Sequence, residues 1–525
     1  MKDKVFIYDT TLRDGSQAEG VAFSKADKVK IVQLLDEFGV SYIEGGWPGS
    51  NPRDMEFFEA IKDYEFKNAK LAAFGSTRRA KLKVEDDDNI KKLLESEAPV
   101  VTIFGKSWIL HCEEVLRITK EQNLEIIADS CAYLKKHGRE VIFDAEHYFD
   151  GYKDNSEYAI EVAKTAAENG ATTIVLCDTN GGSLPSEIAE ITKAVVEVMP
   201  DGVSVGIHCH NDSELAVANS LSAVQSGAKH IQGTVNGFGE RCGNANLSSI
   251  IPALELKMGR KAIADGKLSS LKKVSYIVDE LANIEHNKRL PFVGDSAFAH
   301  KGGMHVNAVG KNPITFEHIS PDVVGNKRRI LVSDLSGRAN IAMKIEELPV
   351  KLDVSSDELK SILDALKEKE NSGYEYEAAD ASFSLLVKRV INQHYSFFEL
   401  DGFRVAVGKR DHNDSPVSEA TVKVIVNGEK EITAAEGDGP VNALDLALRK
   451  ALTRFYPEIA NVYLKDFKVR ILEGDIGTDS KTRVLIESGT DEETWGTVGV
   501  SENIIEASWE ALADSVEYFL YKLRS

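Results

Sequence analysis

Cysteine is scarce: the 525 residues hold five (Cys112, Cys131, Cys177, Cys209 and Cys242), and no two form a C-x-x-C pair. That is too few for a disulfide framework. Basic charge is short as well. The 63 Lys and Arg against 84 Asp and Glu leave a net charge of −21, which argues against a nucleic-acid partner, because phosphate contacts need clustered cations. No stretch approaches the roughly 18 uninterrupted apolar residues of a membrane span. The opening Met1-Lys2-Asp3-Lys4 runs straight into a strand-like segment and lacks the apolar core of a secretion signal. A cytoplasmic, reduced protein without membrane contact is the expectation. What the chain does have is 42% hydrophobic residues, enough for a full core, and a length that suggests about three domains or one large barrel with extensions.

The first half repeats one pattern. Short β-branched or aromatic runs begin near Val5, Tyr42, Lys70, Val100, Glu140, Thr172, Ser204 and His230, with helical stretches between them. In the first helix Ser24 caps, Asp27 follows three residues later, Ile31, Leu34, Leu35 and Phe38 make one apolar face, and Gly39 ends it. Ser156 to Asn169, closed by Gly170, and Ser213 to Ser226, closed by Gly227, read the same way. Eight strand–helix units in about 250 residues match a closed (β/α)8 barrel over residues 1–256; a doubly wound open sheet is the alternative. Residues 257–380 turn to charged helical segments, with loops around Gly294, Gly302-Gly303 and Pro313, and read as a linking subdomain.

Residues 381–525 change again, to strand pairs followed by a helix, and look duplicated. Phe403-Arg404-Val405-Ala406-Val407 resembles Phe467-Lys468-Val469-Arg470-Ile471, Thr421-Val422-Lys423-Val424 answers Thr482-Arg483-Val484-Leu485, and Asn442 and Asn503 open the two helices. Two copies are too few for a solenoid. A pseudo-symmetric α+β module, with a crevice for a small ligand, is more natural.

Barrel enzymes work at the C-terminal ends of their strands, and polar residues collect there: Arg13 and Asp14, Glu44, Glu146 and His147, Asp178 and Thr179, His208 and His210, Asn236 and Glu240. His208-Cys209-His210 is the sharpest signal. Residues two apart on a strand share a face, so both imidazoles reach one ion, and two imidazoles plus the Asp14 carboxylate suit Zn²⁺ or Mn²⁺. Arg13 supplies permanent charge where an oxyanion develops. Glu146 is either a general base or an aligning group, and Thr179 offers a hydroxyl to a substrate carboxylate. Gly105-Lys106-Ser107 imitates the end of a P-loop, but Val100 stands where that motif needs glycine; it is better read as the close of the fourth strand. Asn236-Gly237-Phe238-Gly239 reads as a turn rather than a dinucleotide fingerprint.

Asp9-Thr10-Thr11-Leu12-Arg13-Asp14-Gly15-Ser16-Gln17, His208-Cys209-His210-Asn211-Asp212 and Gly237-Phe238-Gly239-Glu240-Arg241-Cys242-Gly243-Asn244 resemble signatures of the 2-isopropylmalate, homocitrate and citramalate synthase family. Glu436-Gly437-Asp438-Gly439-Pro440-Val441 and Gly496-Thr497-Val498-Gly499-Val500-Ser501 resemble its allosteric domain. Gly45-Gly46-Trp47-Pro48, Ile103-Phe104-Gly105-Lys106-Ser107-Trp108, Asp144-Ala145-Glu146-His147 and His300-Lys301-Gly302-Gly303 are similar to its long citramalate-synthase branch, whose 2-oxo acid is pyruvate.

The resemblance implies an acyltransferase that condenses acetyl-CoA with pyruvate. It implies a divalent ion (Mn²⁺, Zn²⁺ or Mg²⁺) on Asp14, His208, His210 and Asn244, and Arg13, Glu146 and His305 as catalytic groups. Thr179 would hold the keto-acid carboxylate. His305 would be supplied from a partner chain, so a homodimer is implied, and the terminal module would bind an inhibitory end product, isoleucine. One position departs from the family: Phe316 stands where Tyr is common, so no acid or base role is assigned there. The competing readings are a 2-isopropylmalate synthase taking 2-oxoisovalerate, a lyase on the same barrel, and a non-catalytic amino-acid sensor on a decayed barrel. Homocitrate synthase is disfavoured because many of its members carry Glu where Asp14 stands. The lyase is disfavoured by the absence of a Gly-Gly-Cys-Pro loop, and the sensor by retention of the ligand residue types.

Overall fold

The computed structural model describes residues 4–332, 338–348, 354–409, 415–472 and 481–524. Contacts divide the chain into two compact units, Met1–Phe298 with Ile319–Lys327, and Ala299–His318 with Arg328–Ser525.

In the first unit the eight strands read from the sequence close into a parallel barrel. They are β1 (Phe6–Asp9), β2 (Tyr42–Gly46), β3 (Lys70–Ser76), β4 (Val100–Lys106), β5 (Glu140–Glu146), β6 (Ala171–Asp178), β7 (Ser204–Cys209) and β8 (His230–Gly233). β1 pairs with both β2 and β8, Phe6 lying opposite His230, which closes the ring. Alternation sorts each strand into two rows. Tyr8, Tyr42, Ala72, Val100, Ile142, Val175 and Cys177 fill the barrel interior. Their neighbours Ile7, Ile43, Ala73, Val101, Phe143 and Ile174 pack outward against the helices. Going up the inner row, side chains pass from apolar to ionic: Val100, Thr102, Phe104 and Lys106 on β4, and Ile142, Asp144 and Glu146 on β5. The polar mouth therefore follows from strand periodicity and direction alone.

Helix Lys25–Phe38 carries the full capping box of Ser24 and Asp27, and Gly39 ends it at φ +93°. Gly170 closes Ser156–Glu168 likewise, at φ +117°. The third expected helix begins late, at Ala216 rather than Ser213. Glu214 sits at φ +58°, and the Asn211 side chain accepts from the Ala216 amide at 3.2 Å, so a tight turn replaces the first helical turn. Among the described residues no helix is long and apolar enough to cross a membrane.

The second unit contains helices Gly303–Lys311, Arg338–Glu347, Ser356–Asn371 and Asp380–Val390, followed by the duplicated module. Each copy has three antiparallel strands, not two: Glu399–Gly408, Val417–Val426 and Glu429–Gly437 before helix Pro440–Thr453, then Tyr463–Ile471, Thr482–Gly489 and Thr494–Ser501 before helix Ile504–Leu523. The third strands were overlooked because Glu429–Gly437 is charged and Thr494–Ser501 is rich in glycine. One offset of 64 residues relates the copies throughout. Phe403 faces Val422 as Phe467 faces Ile486, and Thr433 donates to the Ala447 carbonyl (2.7 Å) as Thr497 does to Ala511 (2.8 Å). Two of the sequence correspondences are thus out by three residues. Val422 answers Ile486, and Asn503, the cap of the second helix, answers Gly439.

Candidate active site

A cavity of about 210 Å³ lies at the C-terminal ends of the strands, lined by seven residues singled out in the sequence: Arg13, Asp14, Glu146, Thr179, His208, His210 and Glu240. The walls were not foreseen. Trp47, Phe74 and Phe104 stand against one another, Phe74 and Phe104 stacked at 5.5 Å between centroids and Trp47 edge-on to both at 5.6 Å. Trp47 is anchored by an indole N–H donated to Asn89 (2.7 Å) and a backbone N–H donated to Asp54 (2.8 Å).

Arg13 is fixed on three sides. Its Nε donates to Glu44 at 2.6 Å, Nη1 lies 3.4 Å from Asp14, and its guanidinium sits 3.7 Å above the Phe74 ring. Glu44, fully buried, accepts in turn from the Tyr8 hydroxyl at 2.7 Å. Burial acts against the Arg13 charge, but Asp14 and Glu44 outweigh it and hold the pKa above its ordinary value. Burial also opposes charge on Asp14, yet Arg13 and the two histidines hold that carboxyl well below the usual range.

Asp14, His208 and His210 meet as expected of residues that share one ion. Their donor atoms lie within 4.8 Å of one another and all three residues are buried. His208 Nε2 is 3.2 Å from Asp14 Oδ2 and 3.4 Å from His210 Nε2. Its other nitrogen, Nδ1, bonds Gln232 Oε1 at 2.8 Å, while Gln232 Nε2 donates to Asp144 at 2.8 Å. With the Gln232 amide N–H committed, its oxygen is the acceptor, which puts an imidazole hydrogen on Nδ1 and turns Nε2 toward Asp14, whose carboxylate raises the His208 pKa against the effect of burial. Burial, aided by His208, pushes His210 down to about 3, so its imidazole is neutral. Burial and Glu44 push Asp144 up to about 7 against the pull of His208 and Arg13.

Asn244 pairs with His210 through a backbone bridge. Its side-chain amide is buried, and neither its oxygen nor its nitrogen finds a partner among the described residues. Converging nitrogen and oxygen atoms and an orphaned amide are what a divalent cation with N and O donors needs. The loop reaches Asn244 through Gly243, at φ +90°, where a Cβ would meet the Gly237 carbonyl at 2.1 Å.

Thr179 Oγ1 accepts from the His147 amide (2.9 Å), which leaves its own hydrogen to donate, and its carbonyl accepts from Arg241 (2.7 Å). Glu146 is ion-paired with Lys106, its register partner across β4 and β5. His305 belongs to the second unit, where it stacks on Phe316 at 4.1 Å between centroids. Two strand-end residues do structural work instead. Asp178 points outward and binds Ser183 (3.0 Å), and Asn236 binds Asp279 (2.7 Å) and the Ser275 carbonyl (2.9 Å). Gln232 and Asp144 escaped the sequence reading, because a polar residue inside a strand resembles any other; their place on the inner row was the available signal.

The HMGL-like family profile matches residues 4–278, the homocitrate synthase post-HMGL domain-like profile residues 292–373, and the LeuA allosteric (dimerisation) domain residues 377–520. Over 99% of this chain and 98% of the relative, it is 57% identical to an (R)-citramalate synthase of Geobacter sulfurreducens. It is 55% identical to one of Aquifex aeolicus, over 99% of both chains. A 2-isopropylmalate synthase of Methanocaldococcus jannaschii is 31% identical, over 99% of this chain and 95% of that one.

Proposed function

From the premise that this chain belongs to the HMGL-like family, we infer that it is an acyltransferase that condenses acetyl-CoA with pyruvate and water to give citramalate and CoA. Relatives that carry this activity in their names match it end to end at 55–57% identity, well above the 2-isopropylmalate synthase. The geometric observation that carries the reading is the aromatic wall of Trp47, Phe74 and Phe104 facing the Asp14–His208–His210 cluster. In this reading the rigid rings are the groups that select a methyl substituent over a branched one.

The divalent ion, which we assign to Asp14, His208, His210 and Asn244, would supply Lewis acidity to the keto oxygen of the substrate. Mn²⁺, Zn²⁺ and Mg²⁺ are the candidate ions. In this reading Arg13, unable to swing because Glu44 and Phe74 hold it, presents its remaining N–H groups to the oxygen on which charge develops. Thr179 donates its hydroxyl to the pyruvate carboxylate. Glu146 removes a methyl proton from the acetyl thioester.

The wider reading assigns residues 1–256 to the catalytic barrel, 257–380 to a linking subdomain and 381–525 to effector binding. The match to an allosteric and dimerisation domain supports a homodimer in which His305 of the partner subunit serves the barrel, and an end-product amino acid, isoleucine, as inhibitor. A cytoplasmic setting is supported by five free thiols. The test is a panel of 2-oxo acids with acetyl-CoA, following thiol release. Pyruvate is expected to give the highest kcat/KM; a preference for 2-oxoisovalerate overturns the substrate, and no thiol release with any acid overturns the activity.

A further inference from the structure

An acetyl thioester gives up a methyl proton only if something receives the charge that moves to its oxygen. Two cations on the cavity lining are already committed. Arg13 is held by Glu44, Asp14 and the Phe74 ring. Arg241 is held by two bonds to Asp212, at 2.7 and 2.9 Å, and one to the Thr179 carbonyl. Lys106 is the cation beside Glu146. It shares the inner row of β4 with Phe104, which walls both this cavity and a neighbouring one that Lys106 itself lines, and it meets the active-site cavity through its ion pair with Glu146. The Asn123 side chain donates to the Lys106 carbonyl at 2.8 Å, which fixes the strand end. Its ammonium carries an ion pair to Glu146 and lies 5.5 Å from the Phe104 ring centroid. Its side chain is mostly buried, at 16% exposure, so the charge acts in a medium poorer than water.

We propose that Lys106 is a catalytic residue whose ammonium donates to the thioester oxygen of acetyl-CoA while Glu146 takes a methyl proton. This rests on the assignment of Glu146 as the base. The C–H pair becomes the new C=C bond, the carbonyl π pair moves onto oxygen, and the proton resides on Glu146 until it returns to water after product leaves. Charge balances within the pair. The negative charge lost from Glu146 reappears on the thioester oxygen, next to the same ammonium, so the ion pair is exchanged rather than broken. An acid and a base that already touch are spaced to act on adjacent carbon and oxygen centres, and little reorganisation is needed.

The test uses the full-length protein and S-carboxymethyl-CoA, an anionic analogue of the enolate, with affinity measured by calorimetry. Lys106→Met is expected to weaken the analogue about 30-fold, as loss of a charge-assisted hydrogen bond does, and to leave acetyl-CoA within about threefold. Lys106→Arg keeps the charge and is expected to retain analogue binding within about fivefold, while Glu146→Gln removes a competing anion and tightens it. The assignment is overturned if Lys106→Met binds the analogue as wild type does, or if it loses acetyl-CoA and analogue equally, since that describes a ground-state contact. Wild-type protein that binds neither CoA compound sinks the acyl-transfer reading itself. Wild-type turnover combined with an analogue indifferent to Lys106 sinks only this inference.

Discussion

The Nε2 atoms of His208 and His210 face each other across 3.4 Å, with the Asp14 carboxylate 3.2 Å from the first of them. Lone pairs so arranged repel unless a proton or a cation lies between them. Chelator treatment is therefore expected to abolish thiol release, and Mn²⁺ or Zn²⁺ to restore it. Metal at a hundred times its Kd adds about 2.7 kcal/mol to stability, visible as a rise in unfolding temperature. Asp14→Asn and His210→Ala are expected to remove that rise.

Gln232 joins His208 to Asp144 and sets which imidazole nitrogen carries hydrogen. Gln232→Leu is expected to weaken metal affinity by about 10- to 100-fold, read by metal titration, with activity largely recovered at saturating metal. Unchanged affinity would mean that His208 is oriented by packing alone.

Phe104 forms part of the wall against which the 2-oxo acid is read. Phe104→Ala is expected to raise kcat/KM for 2-oxoisovalerate relative to pyruvate by at least about tenfold, since single methylenes in an apolar pocket change selectivity by 10- to 200-fold. Competition between the two acids measures the ratio directly.

Gly243 carries the turn into Asn244, and a Cβ there would lie 2.1 Å from the Gly237 carbonyl at a left-handed φ of +90°. Gly243→Ala is expected to cost about 1–3 kcal/mol in denaturant unfolding of the barrel and to weaken metal binding with it. A substitution at Gly182, where nothing lies within 4 Å, serves as the control.

Thr433 and Thr497 make the same bond in the two copies of the C-terminal module. Valine at either position is expected to cost about 0.5–1.5 kcal/mol, more at the fully buried Thr497 than at half-buried Thr433. Equal costs would show that the bond, not its burial, sets the value.

Barrel strands and the Asp14–His208–His210 set were legible because both depend on local rules: alternation, strand direction and i, i+2 spacing. The walls were not. Phe74 and Phe104 look like core residues in the sequence, and only closure of the ring turns them toward a cavity. Gln232 and Asp144 were hidden for the same reason, their value lying in a contact 88 residues apart. The duplication was visible, but its phase was misjudged after the first strand, since short β-branched runs align almost as well three residues out of step. Hydrogen-bonded register resolves that ambiguity, as with Phe403 opposite Val422 and Phe467 opposite Ile486.

The constant spacing of 64 residues works like the pitch of a gear. Ala420, Val422, Val424 and Val426 turn one way along their strand, and Val484 and Ile486 do so along its counterpart. Adding or deleting one amino acid within such a strand sends every later tooth to the wet side. Length inside each copy is accordingly as constrained as chemistry, and tolerated insertions belong at the hairpin ends, where no tooth has to mesh.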